Sequence, residues 1–439
     1  MFANFPAVKK SLFYLTGLLF VSIGPFYSGL SLAQTPSDNS VSLESFLNEA
    51  TLNNKEIKEA RERLAASKQR IPQASALPNP TAGTAYMGEM LETPLGPQKN
   101  IYEFEQMIPF PGKLIEKHRI ASAETDAAEA ELNKTTRDVI FKVSQAYSTL
   151  YGVDATLQTV EETRDIVKKS ENIAQNRYAS QSGSQRDVAK AQAEVSETLQ
   201  RIFILRQQRN TLEALLNNLL SRPMGAKIEK LAKPSIPVLS LSVDELLDMA
   251  KDSRPELQEA SALVKRDEHA KTLAKYEYAP DFSIGYQYIE IGNGTTSGLE
   301  DGRDAWMIPV KVTLPLWQNR VLSSVQEARR NLNASQARFE NAQNMSGYEV
   351  KDAYFKFTTS KQIVELYENA LIPETELAFH SDQAGYEAGK VDILNFLDSE
   401  RIYLNTKIAY YQARVDALNN FAALERAVGV TLVRQGGQQ

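Results

Sequence analysis

The chain has 439 residues and a formal net charge of −6, with 24% charged and 42% hydrophobic residues. This balance is typical of a folded chain and not of a disordered one, and nothing in it indicates the basic surface that nucleic acids require. The sequence contains no cysteine, which excludes disulfides, thiolate metal sites and cysteine nucleophiles.

The N-terminus has the layout of a secretory signal peptide. Lys9 and Lys10 precede an apolar run over 12–21, and small residues follow up to Ala33. This pattern predicts a signal peptide over 1–33 that is cleaved after Ala33. The alternative is an uncleaved membrane anchor, which the glycines and the proline within the apolar segment disfavour. No later segment has the roughly 20 apolar residues of a spanning helix, so such a secreted chain is periplasmic, released, or inserted in the outer membrane as strands.

The sequence contains a tandem duplication. Residues 41–50 (VSLESFLNEA) match 241–250 (LSVDELLDMA), and the register holds without a gap to Pro80 and Pro280. Such self-similarity has to be recognised before the fold can be assigned. The predicted organisation is a first repeat over 34–222, an equatorial linker over 223–241, a second repeat over 242–429 and a disordered tail over 430–439.

Each half predicts the same order of helix, two extended segments, long helix and returning helix. The helices are expected at about 42–72, 113–180 and 185–222, and again at about 242–278, 318–388 and 392–428. Inside the first long helix, apolar residues recur at spacings of four and three, as in a coiled-coil seam. Seven residues form this seam: Val139, Val143, Ala146, Leu150, Val153, Leu157 and Val160. At 1.5 Å per residue each long helix measures roughly 100 Å, so two shorter helices stacked end to end would run beside it.

The extended segments show the alternation of β-strands. In the second half the apolar and aromatic positions are Phe282, Ile284, Tyr286, Tyr288, Trp306, Ile308, Val310 and Val312. In the first half the pattern is weaker, with Tyr102 and Phe104 alternating with glutamates. A soluble sheet with one buried face shows the same alternation. If the strands cross a bilayer, four per chain cannot close a barrel, so several chains must share one.

The ordered set of landmarks resembles the TolC-type outer-membrane factors over about 41–430. These landmarks are LPNP at 77–80, QMIPFPGK at 106–113, LIP at 371–373 and YEAG at 386–389. The resemblance implies a mainly helical fold with membrane β-strands, in which a homotrimer forms a twelve-stranded β-barrel continuous with a twelve-helix α-barrel. It also implies an outer-membrane exit duct of a tripartite efflux or type I secretion system. Its partners would be outer-membrane lipid, a periplasmic adaptor and an inner-membrane pump. The PFPGK segment looks most like the branch that works with heavy-metal pumps of the resistance–nodulation–division type.

The same resemblance implies two functional places near the periplasmic tip. The turns at Gly183-Ser184 and at Gly389-Lys390 match the family's paired turns, which dock the adaptor; both are also read as glycine C-caps of the preceding helices. Asn395 and Asp398 match the family's acidic constriction, with an amide at the first position where the fuller pattern has an acid.

An enzyme is not indicated, and no cofactor or metal is expected. His118, His269 and His380 are scattered singly, without a paired spacing that would build a metal site. The remaining alternative is a periplasmic coiled-coil adaptor, which has one helical hairpin between β-rich domains and not two duplicated halves. The sequence leaves the exported cargo open among metal ions, drugs and polypeptides.

Overall fold

The structure is a computed structural model that describes residues 40–88, 91–294 and 301–432. The predicted signal peptide and its cleavage site at Ala33 lie outside the described residues. The helices of the first half are α1 (Leu43–Asn53), α2 (Lys55–Ser75), α3 (Pro111–Ala179) and α4 (Gln185–Leu220). Those of the second half are α5 (Val243–Ser253), α6 (Pro255–Tyr276), α7 (Gln318–Leu366), α8 (Ile372–Glu387) and α9 (Ile393–Val428). The strands are β1 (Thr81–Tyr86), β2 (Glu92–Thr93), β3 (Gly96–Ile108), β4 (Asp281–Ile291), β5 (Ala305–Met307) and β6 (Val310–Thr313).

The first helix of each half is broken in two, which the sequence did not predict. In the first half the break is at Asn54, whose backbone is extended and whose side-chain oxygen accepts hydrogen bonds from the N–H groups of Glu56 and Ile57. The Asn54 amide also donates to the carbonyl of Leu219 at 2.8 Å. Arg254 makes the equivalent break in the second half. Helices α1 and α5 begin with equivalent N-caps, because the side chains of Ser42 and Ser242 accept hydrogen bonds from backbone N–H groups of the first turns.

The two long helices are confirmed, with one local change in the second. Helix α3 has 69 residues, about 100 Å of helix. In the second half α7 and α8 are joined by a single π-helical turn, Tyr367–Leu371. Pro373 follows that turn, and its ring removes one backbone donor and crowds the carbonyl four residues before it. A wider turn accommodates the proline without ending the helix.

Each half has its own hydrophobic core where its short helices pack on its long helix. In the first half the buried side chains come from α1, α2, α3, α4 and the linker, and they include Phe46, Ala50, Ile57, Tyr147, Leu216 and Leu220. In the second half they come from α5, α7, α9 and the segment after α9, and they include Leu246, Ala250, Val350, Phe357, Phe421 and Leu424. The predicted seam of α3 is buried at Val139, Val143, Ala146, Leu150 and Val160. Val153 and Leu157 are half-buried.

The linker between the halves packs against the first core. Ile228 and Leu231 are buried there, and Leu231 forms a parallel bridge with Val41. The hydroxyl of Tyr147 lies 2.9 Å from the carbonyl oxygen of Val41 and 2.8 Å from that of Ala232. This one side chain therefore connects helix α3 to both backbone segments that precede and follow the helices of the first half.

The disordered tail was predicted to begin at residue 430, but the structure is ordered beyond that point. Leu432 is 2% exposed and belongs to the second core. Its backbone N–H donates to a carboxylate oxygen of Glu425 at 3.0 Å. The rest of the predicted tail, 433–439, lies outside the described residues.

The strands form one antiparallel sheet in the order β1, β3, β4, with β5 and β6 both on the far side of β4. Strands β3 and β4 join the two halves over a long register that includes Tyr102 opposite Tyr288 and Phe104 opposite Tyr286. One sequence expectation needs correction. The strand predicted through Trp306, Ile308, Val310 and Val312 is interrupted at Ile308 and Pro309, which lie between β5 and β6.

Replacing Tyr147 by phenylalanine tests the contact between α3 and the linker. Burial raises the pKa of the Tyr147 phenol to about 12, so the group remains a neutral donor at every pH that the fold experiences. Because the variant leaves one buried carbonyl without this donor, we expect a loss of about 0.5–1.5 kcal/mol in the free energy of unfolding. Urea titration followed by circular dichroism measures it.

The control for that change is Tyr151→Phe, on the same helix. The Tyr151 side chain is half-buried, and its hydroxyl has no hydrogen-bond partner within the described ranges. An equal loss in both variants would show that the Tyr147 hydroxyl contributes nothing specific.

Candidate functional site

The predicted lipid-facing residues lie on one face of the sheet. Phe282, Ile284, Tyr286 and Tyr288 alternate along β4. Across the strands, Trp306 lies opposite Tyr288, Val310 opposite Ile284 and Val312 opposite Phe282. Ile308 falls in the interruption between β5 and β6 and is also exposed.

This apolar face is uncovered in the single chain. Trp306 is 64% exposed and Val310 is 66% exposed, although both sit in a packed row of large side chains. The Tyr286 and Trp306 rings stack with their centroids 6.4 Å apart, and Tyr102 of β3 extends the row next to Tyr288 at 6.4 Å. Ordered aromatic rows that face away from the protein interior need another apolar medium to cover them.

The opposite face of the sheet is polar. Lys311 of β6 forms an ion pair with Glu105 of β3 at 2.6 Å, and Glu103 and Gln287 lie opposite each other on the same side. From Ser283 to Gln287 the two faces therefore differ in chemistry, as expected of strands between lipid and an aqueous lumen. Further along the strands, Ile289 and Ile101 lie on this second face.

The PFPGK segment forms the junction between the sheet and helix α3. Pro111 occupies the first turn of the helix. The backbone N–H that proline lacks would have no partner within the helix at this position. The Nζ of Lys113 lies 2.8 Å from both carboxylate oxygens of Asp281, the first residue of β4. The backbone N–H of Phe110 donates to the same carboxylate at 2.8 Å. A Cβ at Gly112 would come within 2.8 Å of the Tyr276 ring, so any other residue there would force this ring to move.

At the opposite end of the long helices, the predicted turns lie side by side. Gly389 has φ +74°, a left-handed conformation that suits glycine, and Lys390 beside it is exposed. Arg177, from the end of α3, donates to the carbonyl of Tyr386 at 2.7 Å and covers the Tyr386 ring at 4.8 Å. The turn of the second half is thus held by a residue of the first half.

The turn of the first half is built differently from the prediction. Gln181, with φ 59°, is its left-handed residue, and Gly183 is not. Gly183 is required for another reason, because a Cβ there would lie 2.9 Å from the Cβ of Arg177. Ser184 is the N-cap of α4 and forms a capping box with Asp187.

Asn395 and Asp398 both lie exposed on α9, three residues apart on one face. The opposite face is buried, through Ile393, Phe396, Leu397 and Leu404. Asn395 occupies the first turn of α9, where its backbone N–H donates to the side chain of the N-cap Asp392 at 2.9 Å. Asp398 lines a groove of about 430 Å³ between α4 and α9, together with Lys190, Glu197 and Arg401.

The three histidines make no common site. His269 pairs with the buried Glu116, with Nδ1 and a carboxylate oxygen 2.8 Å apart. His380 lies 3.8 Å from Glu376 on its own helix, and His118 is exposed. Within residues 40–88, 91–294 and 301–432, no group of three or more potential ligands is arranged to hold a metal ion. In the same ranges no helix is long and apolar enough to cross a membrane.

Comparison with known families decides between the two readings that the sequence left open. The family described as outer membrane efflux protein matches residues 46–222 and again 246–430. The chain belongs to the outer membrane efflux protein family. The double match coincides with the tandem duplication, and together the two segments cover most of the chain.

Individual relatives of this family are distant in sequence and similar in fold. The cobalt-zinc-cadmium resistance protein CzcC of Cupriavidus metallidurans is 22% identical over 395 residues, covering 89% of this chain and 90% of CzcC. The outer membrane protein VceC of Vibrio cholerae is 21% identical with a TM-score of 0.74, covering 88% of this chain and 96% of VceC. A structure of CusC is 18% identical with a TM-score of 0.75, covering 91% of this chain and 96% of CusC.

Membership in the outer membrane efflux protein family settles the class of function. The chain acts in efflux at the outer membrane and is not an enzyme. The adaptor alternative is excluded, because both duplicated halves match the efflux family. The fold prediction is confirmed: the structure has the duplicated order of helices and strands, and it superposes on outer-membrane channels.

Several residues of these sites were missed at the sequence level. Asp281, Arg177 and Asp392, which hold the junction, a tip turn and the start of α9, were not identified from the sequence. Only Asp392 carried a readable signal, because an aspartate directly before an apolar helical run is a common N-cap. Asp281 and Arg177 act across more than 160 positions of sequence, a distance over which spacing carries no information.

Replacing Asp281 by asparagine tests the junction. The Lys113 and Asp281 side chains are only 13% and 19% exposed, so the variant leaves an ammonium group without its charge partner. We expect a loss of about 1.5–3 kcal/mol in the free energy of unfolding, the range for hydrogen bonds to charged groups. Urea titration of the purified protein measures it.

Asp248→Asn is the matched control, since Asp248 pairs with Lys251 at 75% and 70% exposure. Exposed pairs of this kind contribute about 0.2–1 kcal/mol. The junction has no structural role if both variants lose the same small amount.

Proposed function

We propose that three copies of this chain close one β-barrel in the outer membrane and form the exit channel of a tripartite efflux pump. The observation that carries the proposal is the sheet itself, whose apolar face is exposed and whose two edges are open. Strand β1 pairs only with β3, and β5 and β6 pair only with β4, among the described strands. Unpaired backbone groups are not tolerated in lipid, so these edges require strands from other copies.

In this assembly the aromatic row on β3, β4 and β5 would contact lipid, and the face with Glu105 and Lys311 would line the lumen. The long helices continue from the sheet through the Lys113–Asp281 junction, so the same three chains would form the periplasmic tube. The paired turns at Gly183-Ser184 and Gly389-Lys390 would dock the adaptor. Their mutual contact through Arg177 supports this, because it presents both turns of one chain as one surface.

The pump partner that we propose is of the resistance–nodulation–division type, and the cargo is a metal cation. Two observations support this finer assignment. The PFPGK junction resembles the heavy-metal branch, and a relative that aligns over 89% of the chain is named as a cobalt-zinc-cadmium resistance protein. The inner-membrane pump would select the cargo, and this chain would supply the exit path.

An arginine at Val310 tests the membrane-spanning sheet. If Val310 faces the middle of the bilayer, the charge costs about 2–4 kcal/mol in that position. We expect the yield of assembled trimer in outer-membrane fractions, measured by native mass determination in mild detergent, to fall strongly.

The control for Val310→Arg is Thr313→Arg, three positions along the same strand and on the opposite face. Its arginine would point into the aqueous lumen, so assembly should be preserved. Normal assembly of both variants, or a stable folded monomer of the unmodified chain, would refute the shared barrel.

Asparagine at Asp398 tests the periplasmic constriction. Three copies of Asp398 around a narrow entrance would raise the local negative potential and favour cations. We expect Asp398→Asn channels in planar bilayers to show reduced cation preference and weaker block by divalent cations added on the periplasmic side.

The matched control is Asp416→Asn, an exposed aspartate on the same helix, about five turns further from the tip than Asp398. Its removal should leave selectivity and block unchanged. If Asp398→Asn behaves like Asp416→Asn, then Asp398 is only a solvated helix residue.

A further inference from the structure

Glu400 is a fully buried acid that neither the fold nor the proposed channel function explains. It lies on α9 two residues after Asp398, but its side chain points inward and is 1% exposed. Within the described part of the chain neither carboxylate oxygen has a hydrogen-bond partner. A buried carboxylate without a partner would be very costly, so a buried acid in this state keeps its proton.

The partners that could neutralise Glu400 are already engaged with other acids. Arg401 donates to the buried Glu194 of α4 at 2.5 Å. Arg201 of α4 donates to Glu197 at 3.0 Å and to the Asn405 side chain on α9 at 3.2 Å. Two bonds, from Arg401 and from Arg201, therefore link α4 to α9 in the turn that follows Glu400.

Among the described residues, the charged groups with the largest effect on Glu400 belong to α4 and α9 and not to the other helices that pack on this part of α9. Helix α3 contributes the apolar Val160 and Val167 to the clusters on either side. On α8, Glu376 accepts a hydrogen bond from the Tyr403 hydroxyl at 3.3 Å. The charged groups that act on Glu400 are thus Glu194, Glu197 and Arg201 of α4 and Arg401 beside it on α9.

Burial, and after it the negative charge of Glu194, raises the pKa of Glu400 to about 8. Arg401 and Arg201 act in the opposite direction but do not cancel these effects. In the unfolded chain the carboxyl has an ordinary pKa near 4.5. The folded state therefore holds one extra proton between these values, and its stability falls as the pH rises from about 4.5 to about 8.

We propose that Glu400 is a proton-binding switch that controls the link between the two return helices α4 and α9. With its proton bound, Glu400 is neutral and Arg401 remains with Glu194. When Glu400 releases its proton to the water of the adjoining groove, a second buried carboxylate competes for Arg401. Either Arg401 leaves Glu194 or water enters, and in both cases the contact between α4 and α9 loosens beside Asp398.

Infrared spectroscopy on the unmodified, folded protein tests the proton directly. Titration from about pH 6 to pH 10 should remove one protonated-carboxyl band with a midpoint near 8. The band should be missing in Glu400→Gln and retained in Glu197→Gln, which changes a neighbouring acid on the same groove. A spectrum without a protonated carboxyl at neutral pH would overturn the proposal even if the Glu400 variant failed to fold.

Spin-label distances test the mechanical consequence. Because the chain contains no cysteine, labels can be placed at Lys190→Cys on α4 and Leu394→Cys on α9 alone, and the distance between the two labels of one chain reports on the groove. We expect the distance between the labels to lengthen as the pH passes about 8, and to stay short at every pH when Glu400→Gln is added. The switch is refuted if the distance between the labels does not change with pH, or if it changes with pH by the same amount when Glu400→Gln is present.

Both measurements use the folded protein in detergent and do not require transport. A failed channel assay would therefore leave this proposal standing, and a failed titration would leave the channel proposal standing. The two inferences can be rejected independently.

Discussion

The two halves of the chain contact each other at both ends of their long helices. These contacts require the two long helices to have nearly the same length. At one end β3 and β4 share a continuous antiparallel register. At the other end Arg177 of the first half donates to the backbone of Tyr386 in the second. Helices rise by a fixed 1.5 Å per residue and hardly stretch, so two helices pinned at both ends must contain nearly the same number of residues. The sheet register, the cores and the placement of the tip turns all depend on that equality.

Between those ends, both halves break their first helix at the equivalent position, but they stabilise the break with different side chains. Asn54 does so with a side-chain cap and a bond to a distant carbonyl. Arg254 instead precedes a proline and forms ion pairs with Glu256 and Glu349. The backbone geometry is common to both halves, whereas the stabilising chemistry is local. This explains why the duplication is clear in the element order and weak in the residues.

Much of the fold could be predicted because it rests on periodicity. Alternation placed Tyr286 and Val310 on one face of a strand, and spacings of four and three placed Val143 and Leu150 in a buried seam. In both patterns, residues at regular spacings share the same side of a helix or strand. The patterns are therefore visible in any short window of sequence. Because of the duplication, each helix or strand could be predicted from two stretches of sequence. The strands of the first half, whose alternation is weak, could therefore be predicted from those of the second.

The details that escaped prediction depend on single contacts between distant segments. The left-handed residue of the first tip turn is Gln181 and not Gly183, because the close approach to Arg177 uses the glycine for space. Glu400 reads in the sequence as one more helical glutamate between a serine and an arginine. Only the packing of α4 against α9 shows that it is buried and that its arginine neighbour serves another acid. No periodic pattern encodes such a choice of partner.

The π-helical turn in the second long helix also affects the length of that helix. From Gln318 to Glu387 the second helix contains one residue more than the 69 of α3. A π turn holds an extra residue at little cost in length, and here it lies just before Pro373. The turn therefore lets the second helix accommodate both the proline and the additional residue while its two ends stay level with those of α3.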